Sequence, residues 1–473
     1  MLFSSTTFLY YFLPAVLLVY YGLLRRHRGL QNGFLTLASL FFYAWGEPRF
    51  VLVMLLSICM NWLFGLSVDH CQAQNRPRRA KLWVIAAVLF NLAVLFVFKY
   101  LTFTLKNLSV LLPSEVAIPQ IALPIGISFF TFQALSYVLD VHRGAGAVQK
   151  NIVHVGLYVS LFPQLIAGPI VRYQTVAHEI AHRKETADDF FDGFARFTVG
   201  LGKKVLLSNS LSVFADYAFA HTGEITTAYA WLGAVCYTLQ IFFDFSGYSD
   251  MAIGLGRMFG FHFLENFNYP YISRSVTEFW RRWHISLGTW FRDYVYFPMG
   301  GNRVSPGRHL LNLFTVWLLT GIWHGANWTF VAWGLMYFVL LALEKRTGLD
   351  KRQTGLPGTV LRRSYTLLFV MLGWVIFKSD SLSHTWQYFG AMLGGNGLGF
   401  ADGRFVQDFR TALLPLAAAV LFSMPVAPFL KTRMNTQRPV LQILYYAVLF
   451  ALFVLSVASI ESSAHNPFIY FNF

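Results

Sequence analysis

Charged residues are scarce in this chain. Asp, Glu, Lys and Arg make up 12% of its 473 residues, roughly half of what ordinary soluble domains carry. Hydrophobic residues make up 56%, and the mean hydropathy is +0.50. A soluble globule of this size could not cover its surface with so few charges. Apolar runs of about 20 residues recur along the whole length. The composition therefore excludes a cytosolic enzyme, a disordered protein and a secreted domain, and predicts an integral membrane protein.

Cysteine and acidic residues are also few. The three cysteines, Cys59, Cys71 and Cys236, are too scattered for a disulfide framework or a cysteine metal site. Lys and Arg number 37 against 22 Asp and Glu, which gives a net charge of +15. No basic stretch is typical of a nucleic-acid reader, whereas cytoplasmic loops of membrane proteins collect Lys and Arg. The first positive charge, Arg25, follows the first apolar run and no small-residue cleavage site comes after that run, so we expect no signal peptide.

The basic clusters set the predicted topology. The clusters at 25–28 and 76–81 are separated by two apolar runs, so the positive-inside rule places both in the cytoplasm and the N-terminus outside. The cluster at 431–433 likewise places the C-terminal tail, 461–473, outside. The densest basic region, 272–308, is expected at the cytoplasmic face.

The apolar runs predict an all-α, polytopic protein with roughly 11 transmembrane helices in a single integral-membrane domain over residues 1–473. The predicted spans lie near residues 8–24, 35–45, 50–68, 82–101, 121–139, 205–219, 228–243, 310–343, 364–377, 411–430 and 440–460. The stretch 151–171 is apolar but is broken by Pro163, Gly168 and Pro169. It predicts a re-entrant segment, which is tolerated where protein or a cavity covers its backbone.

His324 is the most unusual polar residue in these runs. It lies deep in the stretch 310–343, where an ionisable side chain costs about 2.5–3.5 kcal/mol or more. Gly321 and Gly325 flank it and leave space for another backbone or for a substrate. His324 is therefore either a satisfied histidine in a helix crossing or a functional group. Both ends of the stretch are basic, which indicates a hairpin with His324 nearer the outer half.

Arginine and tryptophan alternate in the segment 279–294, FWRRWHISLGTWFRDY. An interfacial helix would have this composition. A site for an anionic, planar ligand would have it too, because guanidinium groups bind phosphates and aromatic faces stack on a base. Similarly, Asp244 and Asp250 end an apolar run and either line the mouth of a cavity or pair with nearby arginines.

Seven segments carry a more specific signal. They are LPIGISF at 123–129, FPQLIAGP at 162–169, DFSGYSD at 244–250, WRRWHISL at 280–287, WFRDY at 290–294, GGNR at 300–303 and WHGANW at 323–328. Together they resemble the membrane-bound O-acyltransferase (MBOAT) family, and within it the bacterial alginate and peptidoglycan O-acetyltransferase branch. The resemblance covers most of the chain.

The resemblance implies a ring of tilted helices around a central funnel that thins the membrane. It implies transfer of acetyl from cytosolic acetyl-CoA across the bacterial inner membrane, for O-acetylation of an extracytoplasmic polysaccharide such as alginate or peptidoglycan. The invariant histidine of the family corresponds to His324, which would be the base, and a second conserved polar position corresponds to His284. Both termini would be periplasmic.

The resemblance also implies the ligands and partners. The substrate-binding residues would be Arg281, Arg282 and Arg292, which hold the phosphates of acetyl-CoA, together with Trp283, Trp323, Asn327 and Asp244. We expect no permanently bound cofactor and no metal; acetyl-CoA enters as the donor substrate. An extracytoplasmic SGNH-type acetyltransferase, or another exopolysaccharide-modification partner, would complete the pathway, with membrane lipid around the protein.

The C-terminal tail contains a Phe-x-Tyr-x-x-Phe motif formed by Phe468, Tyr470 and Phe473. It is similar to the C-terminal motif of the small peptide that accompanies the D-alanine-exporting member of the family. The motif is either an aromatic anchor at the membrane interface or an acyl carrier. As a carrier, the phenol of Tyr470 would accept acetyl with His324 as its base.

Two other classes compete with this prediction. The segment HEIAH at 178–182 fits the zinc-protease signature, in which His178 and His182 would bind the metal, although no third ligand is identifiable. Intramembrane histidines, broken helices and a basic cytosolic face would also fit a transporter of an acylated glycan or small anion that does no chemistry.

Overall fold

The structure, a computed structural model, describes residues 1–111, 118–349, 355–433, 439–462, Asn466 and Ile469. These residues are largely helical and form no strand, which confirms the all-α prediction. The helices are Phe8–Leu23, Arg28–Gly46, Val51–Ala73, Pro77–Ser109, Ile127–His142, Ile152–Ser160, Phe162–Leu165, Tyr173–His182, Ala187–Gly202, Lys203–Ser208, Asn209–Ala220, Thr227–Met258, Pro270–Ile272, Val276–Arg282, Ile285–Phe291, Arg292–Tyr296, Pro306–His324, Trp328–Thr347, Leu356–Lys378, Leu382–Met392, Gly403–Phe422, Val426–Arg433 and Pro439–Ser462.

Six helices in the described part of the chain are long and apolar enough to cross a membrane. They are Val51–Ala73, Pro77–Ser109, Trp328–Thr347, Leu356–Lys378, Gly403–Phe422 and Pro439–Ser462. Together with the apolar helix Phe8–Leu23, they agree with a membrane protein. The number of roughly eleven spans stays a prediction, because several helices are shorter or more polar than a straight span requires.

The two predicted interruptions are both present. The stretch 151–171 divides into the helices Ile152–Ser160 and Phe162–Leu165, and residues 155–171 are buried throughout. Its irregular backbone is thus covered by protein, as a non-helical segment at membrane depth requires. The long stretch 310–343 folds as a hairpin of two packed helices, Pro306–His324 and Trp328–Thr347.

One predicted helix end is wrong. The run near 228–243 does not end at Phe243 but continues as one helix from Thr227 to Met258. The acidic residues beyond Phe243 do not break the helix because each has a cationic partner. Asp244 pairs with Lys204 at 2.7 Å, and Asp250 pairs with Arg196 at 2.9 Å. The arginine partner expected for these carboxylates is therefore found for Asp250, whereas the partner of Asp244 is a lysine.

The chain folds into two compact units. The first comprises Met1–Phe197 and Tyr248–Leu264, and the second comprises Thr198–Gly247 and Glu265–Phe473. The first unit contains a buried arginine, Arg183, whose guanidinium donates to Asn32 Oδ1 at 2.7 Å and lies 4.5 Å from the centre of the Phe261 ring. The second unit contains His284, His324 and the residues around them.

Candidate active site

His324 is the last residue of the helix Pro306–His324, and only 5% of it is exposed. Three aromatic rings surround its imidazole. The ring centres of Trp323, Trp333 and Phe377 lie 5.0, 5.1 and 5.2 Å from that of His324. The imidazole is therefore held in an apolar environment that keeps bulk water away.

The glycines beside His324 serve helix packing. A Cβ atom on Gly321 would lie 2.4 Å from the carbonyl oxygen of Phe330, and one on Gly325 would lie 2.1 Å from the ring of Phe330. Gly334 of the second helix meets Gly321 directly, with the Cα of Gly321 3.3 Å from a Cβ built on Gly334. Of the two predicted uses of this space, the structure shows the approach of another helix.

His284 lies in the turn between the helices Val276–Arg282 and Ile285–Phe291 and is 2% exposed. Its backbone is left-handed, with φ at 45°, a region that non-glycine residues occupy rarely and often at functional sites. Burial lowers the pKa of His284 to about 3, so the imidazole is neutral at physiological pH.

Asn266 determines which nitrogen of His284 carries the proton. The backbone N–H of Ser286 donates to Asn266 Oδ1 at 3.2 Å, and the Ser286 hydroxyl donates to the same oxygen at 2.9 Å. An N–H can only donate, so the atom that faces it is the amide oxygen. His284 Nδ1 lies 3.2 Å from that oxygen and must therefore be the protonated nitrogen. Nε2 of the neutral ring then has the lone pair.

Trp323 contacts both histidines. Its ring centre is 5.0 Å from that of His324 and 6.0 Å from that of His284. The other side of His284 contacts Phe245, edge to face at 4.6 Å. The structure thus brings His284, His324 and Trp323, three of the predicted site residues, together.

The three predicted phosphate-binding arginines lie in different environments. Arg282 pairs with Glu278 at 2.9 Å, and Arg292 pairs with Asp293 at 2.8 Å. Arg281 is exposed, and no ion pair to it occurs within the described residues. Of the three guanidinium groups, Arg281 is thus the one that an anionic ligand could approach without breaking an ion pair.

Trp283 and Asn327 have structural partners. Trp283 is 3% exposed and packs against the rings of Trp374, at 4.8 Å, and Phe279, at 5.5 Å. Asn327 is the N-cap of the helix Trp328–Thr347; its side chain accepts from the backbone N–H of Thr329 and donates to the carbonyl of Asp380 at 2.8 Å. Asn327 therefore orients the loop that follows His324.

Two tryptophans of this cluster were not among the predicted site residues. Trp333 and Trp280 are both in the aromatic cluster, with ring centres 5.3 Å apart. Neither indole N–H has a hydrogen-bond partner among the described residues. The sequence predicted a hairpin at 310–343 but did not show which residues of its second helix lie next to His324.

Glu344 was missed as well. It is 1% exposed, and its carboxylate accepts from the backbone N–H of Val276 at 2.6 Å, and from the backbone N–H and the hydroxyl of Thr277 at 2.8 and 2.7 Å. It caps the N-terminus of the helix Val276–Arg282, where a negative charge is favourable. Glu344 thereby anchors the segment that leads to His284.

We expect Glu344→Ala to lower the free energy of unfolding by about 2–4 kcal/mol, because it leaves buried donors without an acceptor. Glu344→Gln retains one acceptor oxygen and should lose less. Thermal unfolding of the purified protein in detergent measures both. Equal stability of Glu344→Ala and the wild type would contradict this role.

The HEIAH segment has no further metal ligands beside it in the part of the chain that the structure describes. His178 and His182 are exposed on the helix Tyr173–His182, with their rings stacked at 4.7 Å. Glu179 accepts from the ring and from the backbone N–H of His262, at 2.9 and 3.1 Å. Among the residues described, no group of three or more His, Cys, Asp or Glu is placed to hold a metal ion.

Tyr470 lies outside the described residues. The nearby tail residue Ile469 is buried, and its backbone N–H donates to Asp244 Oδ2 at 2.9 Å. Asp244 therefore contacts the tail within the described structure.

The fold and this cluster define an all-α integral membrane protein that buries two neighbouring histidines among aromatic rings. Residues 80–377, which include both histidines, match the family described as MBOAT, membrane-bound O-acyltransferase family. The chain belongs to this family of membrane acyltransferases, which confirms the resemblance inferred from its motifs.

Full-length relatives support the same assignment. The protein named probable alginate O-acetylase AlgI in Azotobacter vinelandii is 39% identical over 100% of both chains. A protein of the same name in Pseudomonas aeruginosa is 42% identical over 93% of this chain and 84% of its own. A peptidoglycan O-acetyltransferase of Helicobacter pylori is 32% identical over 84% of this chain and 81% of its own.

Proposed function

We propose that this protein moves acetyl from cytosolic acetyl-CoA across the bacterial inner membrane, for O-acetylation of an extracytoplasmic polysaccharide such as alginate or peptidoglycan. The observation that carries the proposal is the burial of His284 and His324 against one tryptophan, within the region that matches the acyltransferase family. The names of the relatives, which refer to alginate and peptidoglycan O-acetylation, support the substrate class.

The proposed chemistry is an acyl relay. His324 accepts the proton of the Tyr470 phenol, and the phenolate attacks the thioester carbonyl. The new C–O bond forms as the C–S bond breaks, and the imidazolium returns the proton to the departing CoA thiolate. The resulting aryl ester can acylate an alkyl hydroxyl, so acetyl can pass from Tyr470 to an outer acceptor. We also propose that both termini lie in the periplasm.

His284 and Asn266 would support this step. Because Asn266 holds the Nδ1 proton, Nε2 of His284 presents a lone pair on the side of the ring away from Asn266. A neutral, buried imidazole in this state can accept a hydrogen bond from a substrate group or a water. We assign His284 a proton-handling or positioning role. Trp323 contacts the rings of both His284 and His324.

We propose that side chains move to admit the donor. His324 is 5% exposed and has three aromatic neighbours, so displacement of one of these rings would open a path for the thioester. Arg281 is the proposed first contact for the phosphates of acetyl-CoA because it is exposed. Arg282 and Arg292 would join it by exchanging their carboxylate partners for phosphate. Trp283, Trp323 and Asn327 would shape the path, and an SGNH-type acetyltransferase would be the partner that receives acetyl outside.

Incubation of the purified full-length protein with labelled acetyl-CoA tests the proposal. Release of CoA, or label retained on the chain, is expected in the wild type and should disappear in His324→Ala. Absence of turnover, together with transport of an acylated glycan or an anion by the protein in liposomes, would favour the transporter.

We expect Asn266→Ala to lower the rate of CoA release by about 10-fold or more, because His284 loses the acceptor that fixes its tautomer. The matched control is Ser286→Ala, which removes another donor to the same oxygen and a longer, 3.4 Å contact to His284 Nδ1, but leaves the His284–Asn266 contact in place. Rates are measured at saturating acetyl-CoA. An Asn266→Ala protein as fast as Ser286→Ala would show that the contact does not position His284 for the reaction.

A further inference from the structure

The second unit contains a buried ion pair. Its two residues precede His284 and His324 in the sequence. Lys204 Nζ and Asp244 Oδ1 are 2.7 Å apart, and the two side chains are 2% and 1% exposed. Removing both charges from water is costly, and the remaining oxygen of the carboxylate needs a donor of its own.

The C-terminal tail supplies that donor. The backbone N–H of Ile469 donates to Asp244 Oδ2 at 2.9 Å, and Ile469 is 7% exposed. The two oxygens of Asp244 are therefore divided between the lysine and the tail.

A second contact connects the tail to the same pair. Lys204 Nζ also donates to Asn209 Oδ1 at 2.9 Å, and Asn209 Nδ2 donates to Asn466 Oδ1 at 3.3 Å. The network therefore contacts the tail at Asn466 and Ile469, the two residues that the structure describes beyond Ser462. One contact is to a side chain and the other to the backbone, so together they set the position and the direction of the segment.

We propose that Lys204, Asp244 and Asn209 form a docking site for the C-terminal tail at Asn466 and Ile469, and that transfer of acetyl to the residue next in sequence, Tyr470, depends on this docking. The role of Tyr470 rests on the function proposed above, whereas the docking itself does not. Lys204 and Asp244 are positioning residues that act on the reaction through the tail, and for Asp244 this role takes the place of the substrate binding expected from the sequence.

The docking is tested by the accessibility of position 469. Ile469→Cys retains the backbone N–H and places a thiol where the side chain is buried. Cys59→Ser is added because Cys59 is exposed, whereas Cys71 and Cys236 are buried. In this background, the paired substitution Lys204→Met with Asp244→Leu removes both charges without leaving either unpaired, an exchange that is often neutral for stability.

We expect the paired substitution to raise the rate of maleimide labelling by about 10-fold or more, because labelling of a buried thiol follows the population of the undocked tail. The matched control is Arg196→Met with Asp250→Leu, which removes a different ion pair of the helix Thr227–Met258 and should leave the labelling rate unchanged. Asn209→Leu removes only the contact through Asn466 and should also raise the labelling rate. This variant replaces the paired one if the paired variant does not fold. Unchanged labelling in the folded Lys204→Met, Asp244→Leu protein, or in Asn209→Leu when the paired variant does not fold, would overturn the docking.

The catalytic consequence is measured separately, in the native tail sequence. Lys204→Met with Asp244→Leu should lower kcat for acetylation of the acceptor and leave the KM for acetyl-CoA unchanged. If Tyr470→Phe remained fully active while the paired substitution still raised the labelling rate at position 469, that result would contradict the relay and support the docking.

Discussion

His324→Ala is expected to lower the rate of acetyl transfer by about 10²- to 10⁴-fold, the usual contribution of a positioned general base. The imidazole is buried among three aromatic rings, so water cannot easily replace it as a proton acceptor. The measurement is release of CoA from labelled acetyl-CoA by the purified protein, at several donor concentrations, so that kcat and KM are separated.

The control for this variant is His178→Ala, which removes an exposed histidine from the helix Tyr173–His182. It should retain full activity and an unchanged metal content. If His324→Ala kept more than about a tenth of the wild-type rate, the imidazole would not be the base. If the wild type contained stoichiometric zinc and His178→Ala lost it, the HEIAH segment would instead be interpreted as the metal site of a protease.

Tyr470→Phe is expected to reduce acetylation of the outer acceptor by about 100-fold or more, because phenylalanine has no oxygen to carry the acyl group. The wild type, treated with acetyl-CoA in the absence of acceptor, should gain the mass of one acetyl group on the peptide that contains Tyr470. Intact-mass and peptide mass spectrometry measure this directly, and Tyr470→Phe should show no such gain.

Tyr446→Phe is the matched control, since Tyr446 is an exposed tyrosine of the helix Pro439–Ser462. It should behave as the wild type in both measurements. Full acceptor acetylation by Tyr470→Phe would exclude the carrier and leave direct transfer from acetyl-CoA as the route. An acetyl group found on another residue would move the relay to that residue.

Much of the architecture could be predicted because it depends on the hydropathy, the charge and the helix-breaking residues of short stretches of the chain. Hydropathy identified the apolar helices, and the prolines and glycine of 151–171 predicted its interruption, which the structure places after Ser160. The basic residues at both ends of 310–343 predicted the hairpin that brings His324 to the end of a helix. The seven motifs together identified the family, and two of them, 280–287 and 323–328, contain the two histidines.

The sequence by itself thus determined a membrane protein of the acyltransferase family and two of its candidate site residues. The tertiary structure alone decided what each buried polar group contacts. Asn266 orients His284 from outside its motif, and Glu344 caps a helix that lies 68 residues away in the chain. Asp244 meets Ile469 across 225 residues. Such pairings depend on how helices pack in three dimensions, and neither hydrophobic periodicity nor the order of charges along a chain contains that information.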